Sequence, residues 1–317
     1  MMTDKTGMTR RTALKALGAA GAYIALAAPA IAQQNGLRTV RILSLPIAGW
    51  SGVHLAESEG FFAKEGLKAE FISARTPADG MAMLMGGQLD VTGINVGGLA
   101  SAAVHNLPLK VVAAGYQGST DYSVCVRKDS PIKTVKDLSG KTIALPQLRN
   151  NVHALILDTF EREGGQASSL QFSLVPVAET LSSLMAGNVE AALIVEPFLT
   201  RGREEIRPII PDIFGFSGGQ GILGYWVSTA QYKVDNPELA ASVKRAIDAG
   251  SEYAAKTPEA VRQMTAKMVD IDPAVLQRMT LPLFNPDMAL ENAAGQIEIM
   301  TKYGFFPSKP DLKPYFS

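Results

Sequence analysis

Two arginines stand in short polar loops where a fixed positive charge could meet a small anion. Arg75 follows a strand-like run in Ala74-Arg75-Thr76, and Arg149 lies in Gln147-Leu148-Arg149-Asn150-Asn151. A guanidinium holds a carboxylate or sulfonate through two parallel hydrogen bonds. The 147–151 run is polar and carries no turn-forming glycine, which favours a ligand-facing loop over an ordinary turn. Arg75 can equally be a solvated loop arginine. Backbone donors would come from two small-residue loops that open helices. One is Ala48-Gly49-Trp50-Ser51, and the other is Asn95-Val96-Gly97-Gly98. A loop of this kind turns free N–H groups and the positive end of a helix dipole outward, and glycine lets backbone approach closely. Trp50 offers either a flat apolar wall or an ordinary core side chain. Glu196 could accept from an amino or amide group, or hold Arg149. The expected ligand-binding set is therefore Trp50, Ser51, Arg75, Thr76, Asn95, Val96, Gly97, Tyr116, Gln147, Arg149, Asn150, Asn151, Glu196 and Tyr225. Its chemistry is non-covalent capture of a small organic anion. A neutral heteroaromatic is the alternative, because Trp50, Tyr116 and Glu196 could stack and accept.

The elements that would position these residues follow an α/β pattern. Thr39 to Leu45 reads as a strand rich in β-branched residues, stopped by Pro46 and Gly49. A helix opens near Ser51 and closes at Gly60. Ala78, Met81, Ala82 and Met85 recur at helical spacing, and Gly86-Gly87 ends that helix. One hundred residues on, the same punctuation returns. Leu84-Met85-Gly86-Gly87-Gln88-Leu89-Asp90 is matched by Leu184-Met185-Ala186-Gly187-Asn188-Val189-Glu190, and Phe62-Ala63-Lys64-Glu65-Gly66 by Phe160-Glu161-Arg162-Glu163-Gly164. Strand, helix, strand, helix, strand in each half predicts mostly parallel sheets with helices on both faces. Glycine-bearing stretches near 118–124 and 217–225 are expected to carry the chain between the halves. From Pro237 on the pattern is helical, with Leu239, Val243, Ile247 and Gly250 in one apolar row.

The first 32 residues are expected to lie outside the fold. Thr9-Arg10-Arg11 begins a basic segment, Ala16 to Ala28 is mildly apolar, and Ala30-Ile31-Ala32 is a small-x-small cleavage pattern. This arrangement resembles a twin-arginine export signal, removed near Ala32; Ala13, where such signals usually carry a bulky apolar residue, leaves the general secretion route open. It predicts a periplasmic protein. The whole chain balances 30 basic against 30 acidic residues; four basic residues and one acidic fall in the first 32, leaving 26 against 29. That balance argues against nucleic acid as a partner. Cys125 is alone, and His54, His105 and His153 are scattered, so no disulfide, metal set or nucleophilic triad is expected. No catalytic residue and no cofactor is expected.

The chain resembles the nitrate, sulfonate, taurine and thiamine-precursor family of periplasmic solute-binding proteins. The resemblance is carried by His54-Leu55-Ala56, Gly60-Phe61-Phe62-Ala63-Lys64-Glu65-Gly66-Leu67 and Gly87-Gln88-Leu89-Asp90-Val91. In the second half it is carried by Val126-Arg127-Lys128-Asp129-Ser130 through Gly140-Lys141, and by Glu196-Pro197. It implies a bilobal type II fold, with lobe 1 from 33–121 and 221–317, lobe 2 from 122–220, and the ligand in the cleft at the carboxyl ends of strands. It also implies an ABC importer, with a membrane permease and a cytoplasmic ATPase as partners and the binding protein itself a monomer. The ligand implied is sulfonate-, nitrate- or carboxylate-like, or else a pyrimidine precursor of thiamine. Enzymes of pyrimidine synthesis share the fold, but they carry a Cys-rich stretch that this chain, with its single Cys125, does not.

Overall fold

The computed structural model describes residues 33–34, 36–215, 221–287 and 290–316. The expected export signal, residues 1–32, lies outside them, as do residues 217–220 of the expected second crossover. In the first part of the chain, strands β1 (Gln33–Gln34), β2 (Leu37–Ser44) and β3 (Leu67–Ser73) are followed by β4 (Thr92–Asn95), β5 (Leu109–Ala114) and β6 (Tyr116–Gly118). Helices α1 (Ser51–Ser58), α2 (Phe61–Lys64), α3 (Pro77–Met85) and α4 (Val96–Val104) alternate with them. β2 and β3 pair in parallel over Arg38–Ser44, and a parallel bridge from Ile42 to Val91 joins β2 to the approach to β4. Val40, Ile42 and Leu43 are all fully buried, so this strand is covered on both faces, as a parallel sheet requires.

The second sheet is built from β7 (Tyr122–Arg127), β8 (Thr142–Leu145), β9 (Gln171–Leu174), β10 (Ala191–Val195) and β11 (Ile206–Ile210), in the order β11-β7-β10-β8-β9. Its helices are α5 (Asn151–Arg162), α6 (Thr180–Met185) and α7 (Phe198–Arg201). The chain then returns through β12 (Gly221–Ile222) and β13 (Gly224–Thr229), and β13 inserts antiparallel between β4 and β5. The two sheets share one plan: parallel strands (β3-β2-β4 and β9-β8-β10) extended by one antiparallel strand, β13 or β7, that enters from the other half. Where the halves meet, β12 and β14 (Leu283–Phe284) flank β6 in a three-stranded ribbon.

Gly118 and Gly224 at this junction are close-packed positions. A β-carbon at Gly118 would lie 2.2 Å from the Phe214 ring, and one at Gly224 would lie 2.1 Å from the Ile94 carbonyl oxygen. Helices α8 (Ala230–Asp235), α9 (Pro237–Lys256), α10 (Pro258–Val269) and α11 (Glu291–Lys302) complete the chain. Leu239, Val243, Ile247 and Gly250 are buried along α9, as their spacing predicts. α11 packs on α5 of the second sheet's layer, through Lys302 to Asp158 at 2.8 Å, and also on α4 of the first.

Candidate functional site

A cavity of about 100 Å³ lies where the carboxyl ends of the strands of both halves face each other. Leu45, Trp50, Asn95, Tyr116 and Trp226 line it from the first half, with Tyr122, Leu145, Gln147, Asn150 and Val195 from the second. Two tryptophans form its wall, with ring centroids 4.8 Å apart and planes at 68°. Trp50 can lie over β4 because residue 93 is glycine; a β-carbon there would come within 2.8 Å of the indole. Tyr116 lies in the same way over Gly49. At the junction between halves the Tyr116 and Tyr122 hydroxyls hydrogen-bond to each other, and burial raises both phenols well above their ordinary range. Besides these phenols and the indoles, the other polar side chains of the lining are Tyr225 and the amides of Asn95, Gln147 and Asn150. Asn95 Nδ2 donates to Gln147 Oε1 across the cavity at 2.6 Å. Asn95 and Asn150 also cap α4 and α5, accepting from the N–H groups of Gly98 and His153. Among the described residues no Arg, Lys, His, Asp or Glu side chain lines the cavity.

Six of the fourteen expected site residues therefore meet at the cavity: Trp50, Asn95, Tyr116, Gln147, Asn150 and Tyr225. The other eight do not line it. Ser51 is fully buried, and its hydroxyl donates back to the Ala48 carbonyl in a 3-10 turn. Thr76 caps α3 in a reciprocal capping box with Asp79. Val96 is buried and donates its N–H to Leu223. Gly97 allows close approach, as its type suggests, but the approaching group is the Asn150–Asn151 backbone. Asn151 Nδ2 donates to Gln296 Oε1 at 2.6 Å, and its Oδ1 is buried without a partner among the described residues.

The charged residues are the main correction. Arg149 turns outward and donates to the carbonyls of Gly304 and Phe305 at 3.1 and 2.8 Å, with its guanidinium over the Phe305 ring. Arg75 pairs with Glu179 at 2.8 Å on the surface, where both side chains are mostly exposed. Glu196 is buried and accepts from Thr200 N, Thr200 Oγ1 and Thr280 N, so it neither faces a ligand nor holds Arg149. Burial raises its carboxyl above the ordinary range, and the neighbouring Asp121, also buried, is pushed up to about 7. Trp226 and Tyr122 were not expected at the site. The presence of a second tryptophan was visible in the sequence; the pairing of β13 with β4, which brings it to Trp50, was not.

Among the described residues no group of side chains could hold a metal ion, and no helix is long and apolar enough to cross a membrane. Cys125 is buried, and its thiol is pushed up to about 12.

Comparison with known proteins returns the same architecture. The periplasmic aliphatic sulphonate binding protein SsuA from Escherichia coli is 20% identical, with 88% of this chain and 97% of that one covered at a TM-score of 0.68. The alkanesulfonate-binding protein SsuA from Xanthomonas axonopodis pv. citri, bound to MOPS, is 18% identical over 88% and 98%, at 0.73. The periplasmic nitrate-binding protein NrtA from Synechocystis PCC 6803 is 11% identical over 88% and 84%, at 0.74. These likenesses establish the two-lobed periplasmic-binding-protein fold. No curated protein matches the sequence. The NMT1/THI5 like family model matches residues 48–261, about two thirds of the sequence, and the chain belongs to that family.

Proposed function

We propose that this protein is the solute-binding component of an ABC importer. It captures a small organic molecule in the cavity between its lobes and presents it to a membrane permease driven by a cytoplasmic ATPase. The lobes are 33–121 with 221–317, and 122–220; the mature protein acts in the periplasm after removal of residues 1–32. One observation carries this reading. Residues of both lobes line one cavity with aromatic rings and amides, a composition suited to small-molecule capture. Among the described residues the lining holds no carboxylate, imidazole or thiol to move a proton or form a covalent intermediate, which supports binding over catalysis.

The same lining favours a neutral, flat solute of the heteroaromatic kind over an anion. The sulfonate- and nitrate-binding structural relatives speak for an anion, and the lining speaks against it. A desolvated anion with no counter-charge is costly, and both candidate arginines are engaged elsewhere. Trp50 and Trp226 supply faces for stacking, and Asn95, Gln147 and Asn150 supply donors and acceptors for a ring's polar edge. A thermal-shift screen tests this, because a ligand that binds only the folded state raises the midpoint by mass action. The panel is neutral pyrimidines and related heterocycles against alkanesulfonates, nitrate and carboxylates. A shift confined to the neutral arm is expected. A shift confined to the anions overturns the neutral assignment and keeps the binding role; no shift in either arm, with Trp50→Ala behaving as the parent, counts against the cavity as the site.

A further inference from the structure

One backbone contact joins the two lobes beside the cavity. Helices α4 and α5, one from each lobe, meet N-terminus to N-terminus at the cavity wall. Their capping residues, Asn95 and Asn150, both line the cavity. At the point of contact the first lobe presents no side chain. A β-carbon at Gly97 would lie 2.7 Å from Asn150 Cα, 2.7 Å from Asn151 N and 2.8 Å from Met300 Cε. The methionine tip could swing aside, but the two backbone atoms could not. Gly97 is the second residue of a regular helix, so it is room, rather than an unusual backbone conformation, that this position requires. Asn95 Nδ2 to Gln147 Oε1, two residues away, is the hydrogen bond that this approach permits.

We propose that Gly97 is the stop that sets the depth of lobe closure, and with it the size of solute the cavity accepts. With hydrogen at this position the two helix ends touch backbone to backbone. A larger group wedges them apart, and separating the lobes relieves the clash more cheaply than straining either core. The proposal deepens the solute-binding reading and rests on it, but its test needs no solute.

The full mature chain carrying Asn95→Cys and Gln147→Cys is treated with dibromobimane, which becomes fluorescent when it bridges two thiols. Cys125 is buried and stays silent. Bridging is compared with residue 97 unchanged, with Gly97→Ala and with Gly97→Val. The expected result is graded: a few-fold slower with Gly97→Ala and roughly tenfold or more with Gly97→Val. A second readout uses Trp50 and Trp226, the only two tryptophans of the chain, each 6% exposed in the cavity wall. Gly97→Val on the otherwise unaltered chain is expected to shift their emission to the red and raise acrylamide quenching. Unchanged bridging and quenching in a Gly97→Val protein with native circular dichroism overturns the proposal. If Gly97→Val does not fold, Gly97→Ala decides on the same two readouts. Slowed bridging with no solute found in the screen keeps the stop and sinks the binding role. A solute found with bridging unaffected does the reverse.

Discussion

Asp121 is a carboxyl group buried at the junction of the lobes, with no cation beside it among the described residues. Its Oδ1 accepts from the N–H and hydroxyl of Ser119, and burial pushes its pKa from the ordinary 3.8 to about 7. The folded protein holds this proton more tightly than the unfolded chain does. The group's contribution to stability is therefore fully present below about pH 3.8 and is lost as the pH rises through about 7. Asp121→Asn keeps an acceptor for Ser119 and cannot ionise. Its melting temperature should exceed the parent's by several degrees at pH 8, and the gap should close towards pH 4. His54 and His153, both lowered to about 4 mainly by burial, act in the opposite sense: their contribution is lost as the pH falls from 6.5 through about 4. The difference between the two proteins, measured by thermal melts across pH 4–8, isolates Asp121; a constant gap would show that it does not titrate there. Arg149 invites a second substitution series. It sits at φ 54°, a left-handed conformation costly for a residue with a β-carbon, and its side chain ties α5 to Gly304 and Phe305. Arg149→Ala loses the tie and keeps the strain, so stability should fall by about 1–2 kcal/mol. Arg149→Gly loses the tie and relieves the strain, so its melting temperature should lie above that of Arg149→Ala. The ligand-induced shift in midpoint should be the same in both; a smaller shift would return Arg149 to the binding site.

The repeated helix endings show how much of the fold was legible in the sequence. Gly87 and Gly187 both close their helices at positive φ, 72° and 74°. Three residues on, Asp90 accepts from the backbone N–H of Arg41 and Glu190 from that of Thr142, so each carboxylate ties its helix ending to a strand of the matching sheet. Leu84 and Leu184 are fully buried while Met85 and Met185 are exposed. This punctuation is local chemistry, written in adjacent residues, and it could be read directly. The binding set was less legible because the deciding contacts are remote in sequence. The carbonyls that capture Arg149 lie 155 and 156 residues away, and the Thr280 N–H that helps satisfy Glu196 lies 84 away. A polar residue at a strand end was read as facing the cleft; which of them face it depends on pairings that no local pattern encodes. The matched glycines also give a test at this scale. A β-carbon at Gly87 would meet nothing within 4 Å, and at Gly187 only the Arg127 guanidinium at 3.2 Å. Gly87→Ala and Gly187→Ala should therefore each cost only the backbone term, on the order of 1–2 kcal/mol, without altering bimane bridging. Denaturant unfolding checks the first part; a much larger loss at either site would mean that a packing contact, not φ, fixes the glycine there.

At the scale of the whole molecule, three kinds of contact with different energetic weight join the two lobes. The cavity rings are buried and the Asn95–Gln147 pair is part-buried in the cavity wall. The meeting of Gly97 with the Asn150–Asn151 backbone is steric and independent of salt. The third contact, Arg75 with Glu179, joins α6's approach to the loop before α3 at 2.8 Å, with side chains 74% and 53% exposed. Pro77 and Val177, each two residues from one partner, line the cavity beneath it, so the pair sits over the cavity's edge. An exposed pair of this kind contributes about 0–1 kcal/mol, which bounds its effect on solute affinity at roughly fivefold. Arg75→Glu alone places two carboxylates at the rim, and Glu179→Arg alone places two guanidinium groups there; each should weaken binding of the solute found by the screen within that bound. The double variant Arg75→Glu/Glu179→Arg restores opposite charges and should recover most of the loss, the coupling that a double-mutant cycle reads. Raising the salt concentration to about 1 M shortens the screening length to roughly 3 Å and should erase the differences among all four proteins. Calorimetric titration at low and high salt checks both parts. Single variants that lose far more than fivefold, or whose loss survives high salt, would mean that Arg75 acts on the solute itself.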